Sequence, residues 1–314
     1  MNVRPGDGKW PADHHVLRLE GDELLCRVPS TGIDEALLEE MVFHRVHEGG
    51  AVHAPQNKKQ TRPDFAPWHL VPQPAHRRFE VYAQMNPGAS ALKFDRTELT
   101  YGELDSQADG LAVLLQRYGV GPSDLCAICM ERSLAMVRAI LAVLKAGGAY
   151  LHLDPALPAR RMPSMLRAAN ARTVITQEAY SDRFVTANAR VILSDEGTAD
   201  LPDTWPQDCS TQRFSPAYAS YQLSETENPI IVVRDHMDVI EQLESMQKLS
   251  PIGQGDSLLQ SADYAFDESL WEFLWPLTHG ARLVIPTVGE TMDFERMRLL
   301  IVKEHITVMH VNLR

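Results

Sequence analysis

Leu144-Lys145-Ala146-Gly147-Gly148-Ala149-Tyr150-Leu151-His152-Leu153-Asp154-Pro155 decides the fold of this chain. The paired glycines end a helix, because a C-terminal cap needs the left-handed backbone that glycine adopts freely. Tyr150 to Leu153 is then an apolar run of strand length, and Asp154-Pro155 is a turn. Working upstream, Leu134, Val137, Leu141 and Leu144 form one stripe at helical spacing, so Ser133 to Ala146 reads as a helix. Leu125 to Met130 before it reads as a buried strand. Strand, helix and strand at this spacing imply parallel strands joined by a right-handed crossover.

The same alternation extends in both directions. Thr100 and Glu103 form a capping box, Leu104, Ala108, Leu111 and Leu115 line one helical face, and Gly119 stands at the expected αL cap. Downstream, a helix is expected at Met162 to Ala169, with strands at Thr173 to Thr176 and Arg190 to Ser194. The polar stretch Asp195 to Ser215 reads as a surface connection. Beyond it come a helix at Met237 to Lys248, a strand at Ser257 to Ser261 and the amphipathic Ser269 to Leu277. A strand at Arg282 to Ile285, a helix at Phe294 to Glu304 and a strand at Ile306 to Val311 complete the series. The fold class is α/β with doubly wound, mostly parallel sheets.

Composition excludes several function classes. The chain has 314 residues, 44% of them hydrophobic, which is enough for a full core. A net charge of -12 at pH 7 opposes nucleic-acid binding, which needs clustered Lys and Arg. No apolar run has the length of a membrane span, and Met1 to His15 lacks the apolar centre of a signal peptide, so a cytoplasmic location is expected. Four cysteines make no disulfide framework. Cys126 and Cys129 are three apart on a strand and face opposite ways, which separates the two thiols.

The first seventy or so residues offer little: a strand-like Leu24 to Val28, a helix-like Asp34 to His47 and a linker, Pro55 to Pro74, rich in breakers. His14-His15 precedes an acid and a glycine, but the spacing is one residue too long for the motif of condensation domains. His44, His47 and His53 have the residue type of metal ligands, although isolated surface histidines are far commoner.

Three motifs together identify a family resemblance. The opening run resembles L-K-A-G-x-A-Y-x-P-x-D-P of adenylate-forming enzymes, specifically the adenylation domains of nonribosomal peptide synthetases, with His152 in place of a proline. Leu99-Thr100-Tyr101-Gly102-Glu103-Leu104 resembles the family's L-T-Y-x-E-L. Ala265-Phe266-Asp267-Glu268-Ser269-Leu270-Trp271-Glu272 resembles its F-D-x-S-x-W-E pocket motif, in the family's order. The resemblance covers roughly Pro74 to Leu313. It implies a first lobe, 74–200, and an incomplete second lobe, 201–314, after an extension, 1–73, of unknown role.

The family's phosphate loop, Y-T-S-G-[ST]-T-G-x-P-K-G, is the departure. In the same register stand Tyr221-Gln222-Leu223-Ser224-Glu225-Thr226-Glu227-Asn228-Pro229-Ile230-Ile231. Ser224, Glu227 and Ile231 occupy the glycine positions and Ile230 the lysine position. Ser224, Thr226 and the downstream His236, which pairs with Asp235 as in the family, are a vestigial nucleotide site. Such a loop works because glycine lets backbone N–H groups approach phosphate oxygens while a lysine neutralises them. Removing one preorganised donor costs roughly 10²–10³ in rate. Losing the lysine and adding Glu225 and Glu227 leaves a deficit on the order of 10⁴ or more.

The substrate side is better kept. The resemblance places Asp267 where a carboxylate pairs with the α-ammonium of an amino acid, and Glu268, Trp271 and His310 on further pocket positions. The alternative for Asp267 is a helix N-cap, and Trp275 and Leu277 read as core. ATP and magnesium, used by the intact family, are expected to bind poorly, and no catalytic residue is assigned. Three functions follow: a pseudo-enzyme or scaffold within a peptide-synthetase assembly, a ligase active when a second polypeptide completes it, or a relic. The 306–311 strand is expected to be an open apolar edge that self-associates, needs a partner or opens first.

Overall fold

The structure is a computed structural model and describes residues 15–18, 23–28, 73–194, 206–207, 211–222, 229–262, 268–291 and 293–312. The strands are β1 His15–Arg18, β2 Glu23–Arg27, β3 Ser90–Phe94, β4 Thr97–Thr100, β5 Leu125–Cys129, β6 Ala149–His152 and β7 Thr173–Thr176. They continue with β8 Arg190–Leu193, β9 Pro216–Gln222, β10 Ile230–Asp235, β11 Ser257–Leu259, β12 Arg282–Ile285 and β13 Val308–Asn312. Helices longer than two turns, with one shorter, are α1 Ala75–Met85, α2 Tyr101–Arg117, α3 Leu134–Lys145, α4 Met162–Ala168, α5 His236–Leu249, α6 Glu268–Thr278 and α7 Phe294–Lys303.

Local chemistry sets the helix ends. Thr100 Oγ1 accepts from the Glu103 N–H, and the Glu103 carboxylate accepts from the Thr100 N–H, so the anticipated capping box starts α2. At the other end Gly119 has φ 85°, its N–H donates to Gln116 O, and the Val120 N–H donates to Leu115 O. Gly147, at φ 87°, and Gly148 close α3 by the same pair of bonds, to Leu144 O and Val143 O. Both are Schellman caps, and the second turns the chain directly into β6.

Two sheets result. The first has the order β1-β2-β13-β11-β12-β3-β4, and the second β10-β9-β6-β5-β7-β8. β5 and β6 are parallel neighbours, Cys126 opposite Tyr150, with α3 as the crossover, as the opening motif implies. Strands β11, β12, β13 and β3 are mutually parallel, and β5 to β9 likewise; antiparallel pairing is confined to β4, β10, β1 and β2.

Sheet membership does not divide at residue 200. β3 and β4 join β11 to β13, while β9 and β10, which flank the phosphate-loop remnant, join β5 to β8. The open edge expected at 306–311 is corrected. β13 lies between β11 and β2, because the N-terminal Glu23–Arg27 strand pairs antiparallel along it. The helix-like 34–47, the 55–72 linker and most of 195–215 fall outside the described residues.

The main core fills the space between the sheets. It joins Cys126 and Ile128 of β5, Leu258, Leu283 and Val308 of the first sheet, and the inward faces of α1, α2, α3, α5 and α6. A second cluster on the outer face of the other sheet contains Ala127, Cys129, Leu151 and Val174 with Met162, Met165 and Leu166 of α4. The two thiols of β5 therefore sit in different cores, as strand geometry requires.

A buried cation links three of these helices. Lys145, the last residue of α3 and 6% exposed, donates to Asp105 at 2.5 Å and to Asp109 at 2.6 Å on α2, and lies 3.6 Å from Glu80 on α1. Burial draws the ammonium pKa down, but the three carboxylates outweigh it and hold it above its ordinary value. Burial in turn raises the Asp109 carboxyl, against the pull of Lys145. Removing this cation would strand buried carboxylates, a change that costs about 3–5 kcal/mol. Lys145→Ala is expected to lower stability by that amount in urea melts, whereas truncating the exposed Lys303 in the same way should change it by less than about 0.5 kcal/mol.

Candidate functional site

The substrate-side candidates lie where α6 meets the C-terminal ends of β11 and β13. Trp271, on the first turns of α6, is 2% exposed and stacks edge-on with His310 of β13, ring centres 5.0 Å apart. On its other side Trp275 is 5.9 Å away. Two of the four expected pocket residues are thus in contact. Glu268 opens α6, but its side chain, like all of Asp267, lies outside the described residues.

Glu272 organises this corner. Its carboxylate is fully buried and accepts from Gln260 Nε2 at 2.9 Å, Ser261 N at 3.1 Å, Ala262 N at 2.9 Å and Ser261 Oγ at 3.2 Å. His310 Nδ1 lies 3.2 Å from its Oε1, and Ser261 Oγ is also 2.5 Å from the His310 carbonyl. One carboxylate therefore ties helix α6 to the loop after β11 and to β13. A buried carboxylate is tolerated only when its lone pairs are met in this way. In the sequence Glu272 ends the pocket motif, and the signal for its role is an acid set within the apolar run Leu270 to Trp275.

The nucleotide-side candidates are differently placed. Ser224 and Thr226 lie outside the described residues, between β9 and β10, whose register puts Gln222 opposite Ile230 and Tyr221 opposite Ile231. Ile230 is 54% exposed, so an alkyl chain stands at the lysine position. His236 opens α5 behind Asp235, which caps that helix by accepting from the Asp238 N–H at 2.9 Å. The imidazole is 1% exposed, 5.6 Å from the His76 ring, and neither of its nitrogens finds a hydrogen-bond partner among the described residues. Burial holds its pKa down at about 4 despite Asp235. A neutral, sealed imidazole offers no charge to a phosphate.

His152, the residue that departs from the opening motif, is likewise buried. It packs 5.7 Å from Tyr150 and 6.2 Å from Phe273, and burial depresses its pKa to about 4. Among the described residues no three His, Cys, Asp or Glu side chains are grouped to hold a metal, and His44, His47 and His53 fall outside them. No helix among them is long and apolar enough to cross a membrane. A surface concavity lined by Phe184, Val185 and Arg190 lies beside β8, at the opposite rim of its sheet from β9 and β10.

Two outcomes are expected. Glu272→Ala leaves two backbone N–H groups and Gln260 without an acceptor and should destabilise the protein by about 3 kcal/mol or more, measured by denaturant melts. Acid should act on the buried histidines. His152, His236 and His279 sit at about 4 when folded and near 6.5 when unfolded, and His76 is also lowered, so below pH 6.5 the unfolded chain takes up protons that the folded one refuses. Each of the first three withdraws up to about 3 kcal/mol as pH falls from 6.5 to 4. Asp109 acts in the opposite sense but is one group against four. The melting temperature should hold steady from pH 8 to 7 and fall steeply between 6.5 and 4 in calorimetric scans.

Comparison with known proteins places this architecture. Residues 79–312 match the AMP-binding enzyme family. A dimodular nonribosomal peptide synthase of Bacillus subtilis (strain 168) is 35% identical over 243 residues, which is 74% of this chain and 10% of that protein. The crystal structure of the nonribosomal peptide synthetase FmoA3 (S1046A) superposes with a TM-score of 0.67 at 30% identity, covering 74% of this chain and 25% of that one. The Klebsiella oxytoca NpsA N-terminal subdomain, in complex with 3-hydroxybenzoyl-AMSN, gives 0.65 at 25% identity, covering 74% and 58%. The chain spans well under two thirds of each of these proteins. It belongs to the AMP-binding enzyme family, as an adenylation-like domain of the nonribosomal peptide synthetase type that covers part of such a domain.

Proposed function

We propose that this chain is an adenylation-like pseudo-enzyme of nonribosomal peptide synthesis, which keeps the scaffold of an amino-acid-activating domain and does not activate an amino acid by itself. The observation that carries this reading is the Tyr221 to Ile231 stretch. It holds neither a glycine nor a lysine, adds Glu225 and Glu227, and joins two strands whose register leaves Ile230 at the lysine position. With His236 buried and neutral beside it, the residues present do not fit a bound triphosphate and its magnesium. Ser224, Thr226 and His236 are then vestiges of a nucleotide site.

The pocket side supports a retained scaffold rather than a general loss of structure. Trp271, His310 and the Glu272 lattice are packed and hydrogen-bonded. Asp267 and Glu268 complete, on this reading, a partial amino-acid pocket favouring a basic or hydroxylated side chain. Partners would be other peptide-synthetase proteins in the cytoplasm. The same lattice favours a second reading, a ligase that works when another polypeptide supplies the phosphate-binding chemistry.

The test is amino-acid-dependent exchange of pyrophosphate into ATP. The purified chain should give no exchange above background with any amino acid, and millimolar ATP with magnesium should leave its melting temperature unchanged. Robust exchange by the chain alone would refute the pseudo-enzyme. Exchange that depends on an added synthetase protein would establish the second reading.

A further inference from the structure

Residues 15–28 lie outside the stretch that matches the family, yet they form two strands of the first sheet. β2 runs antiparallel to β13, with Cys26 opposite Met309 and Leu25 opposite His310, and the Val28 N–H extends the ladder to Thr307 O at 2.9 Å. Leu25 and Cys26 are 1% and 2% exposed. Neighbours on a strand face opposite ways, so both faces of β2 are covered, as in a sheet interior. Arg27 fastens the end of the strand. Its guanidinium donates to Asp256 Oδ1 at 3.0 Å, to Ser250 Oγ at 3.2 Å and to the Pro251 carbonyl, all in the turn before β11.

Among the described residues β2 alone pairs with this side of β13, whose N–H and C=O groups beside apolar side chains are otherwise a template for strand addition. We propose that residues 15–28 are an intramolecular guard strand that occupies the β13 edge in cis and denies it to extended strands of other chains. The tether favours this arrangement. A strand on the same chain meets β13 intramolecularly, so a competing strand of equal quality must overcome its effective concentration. The edge fits one kind of competitor: an extended segment entering antiparallel, with apolar residues at the Leu25 and Cys26 positions and an arginine reaching Asp256.

Full-length protein carrying Met309→Cys tests the pairing, because directly opposed residues of an antiparallel pair lie within disulfide reach. Mild oxidation should give an intrachain disulfide to Cys26, identified by peptide mapping and lost when Cys26→Ser is added. An interchain bond, or none to Cys26, would overturn the assignment. Guarding is tested with a fluorescent synthetic peptide of residues 13–30. It should bind Arg27→Glu, which sets a carboxylate beside Asp256, at least tenfold more tightly than the unaltered protein, and should not bind oxidised Met309→Cys. Arg27→Ala serves as the milder variant should Arg27→Glu misfold. Failure of the peptide to distinguish these proteins would overturn the guarding role.

Discussion

The layer of helices between the two sheets depends on one buried ammonium. Lys145 ends α3, and its three carboxylate neighbours come from α1 and α2, so a single side chain links three helices that also meet through apolar contacts. Apolar contact is tolerant of small slips, whereas hydrogen bonds of 2.5 and 2.6 Å to one nitrogen are not. The neighbouring glycines work with it. Because Gly147 and Gly148 end the helix immediately after Lys145, the chain enters β6 at a fixed point beside β5, and the second sheet takes its register from there. The Lys145 ammonium also lies over the Phe79 ring, 6.0 Å from its centre.

Much of this was legible in the sequence, for reasons that differ by element. The β5-α3-β6 unit could be read because its signals are local: a four-leucine-class stripe, a serine cap and two glycines. The α2 capping box was likewise contained in four residues. The helix Ala75–Met85 was not read, because its buried face includes His76 and Arg78, which periodicity counts as polar. Arg78 is satisfied there by Glu244 on α5, a partner too distant in sequence to anticipate. The hairpin of β9 and β10 is hidden too, since Ile230 to Asp235 lacks the alternation of a half-buried strand.

The candidate site was legible by type and obscure in geometry. Motif matching found Trp271 and His310, and the structure brings their rings together. It could not find Gln260 and Ser261, whose relation to Glu272 exists only because β11 ends beside α6. The same limit applies to His236. Its place after Asp235 marks the family, but its burial against His76 comes from the packing of α5 on α1. Chemistry written in residue types is thus distinct from chemistry permitted by dielectric surroundings, and the two diverge at this histidine.

The interleaving of the sheets has a consequence for how the chain reaches its native state. Leu92 on β3 pairs with Leu283 on β12, and Cys26 on β2 with Met309 on β13, so the first sheet joins segments from opposite ends of the sequence. During synthesis from the N-terminus, β5 to β8 emerge together and can assemble early. β2 and β3 must wait for β13 and β12, which appear far later in the chain. Long-range pairings close slowly because the loop entropy precedes any gain from contact. The first sheet is therefore the late-forming half of the protein, and its early strands spend the interval as exposed β-segments that a growing chain must keep from premature pairing.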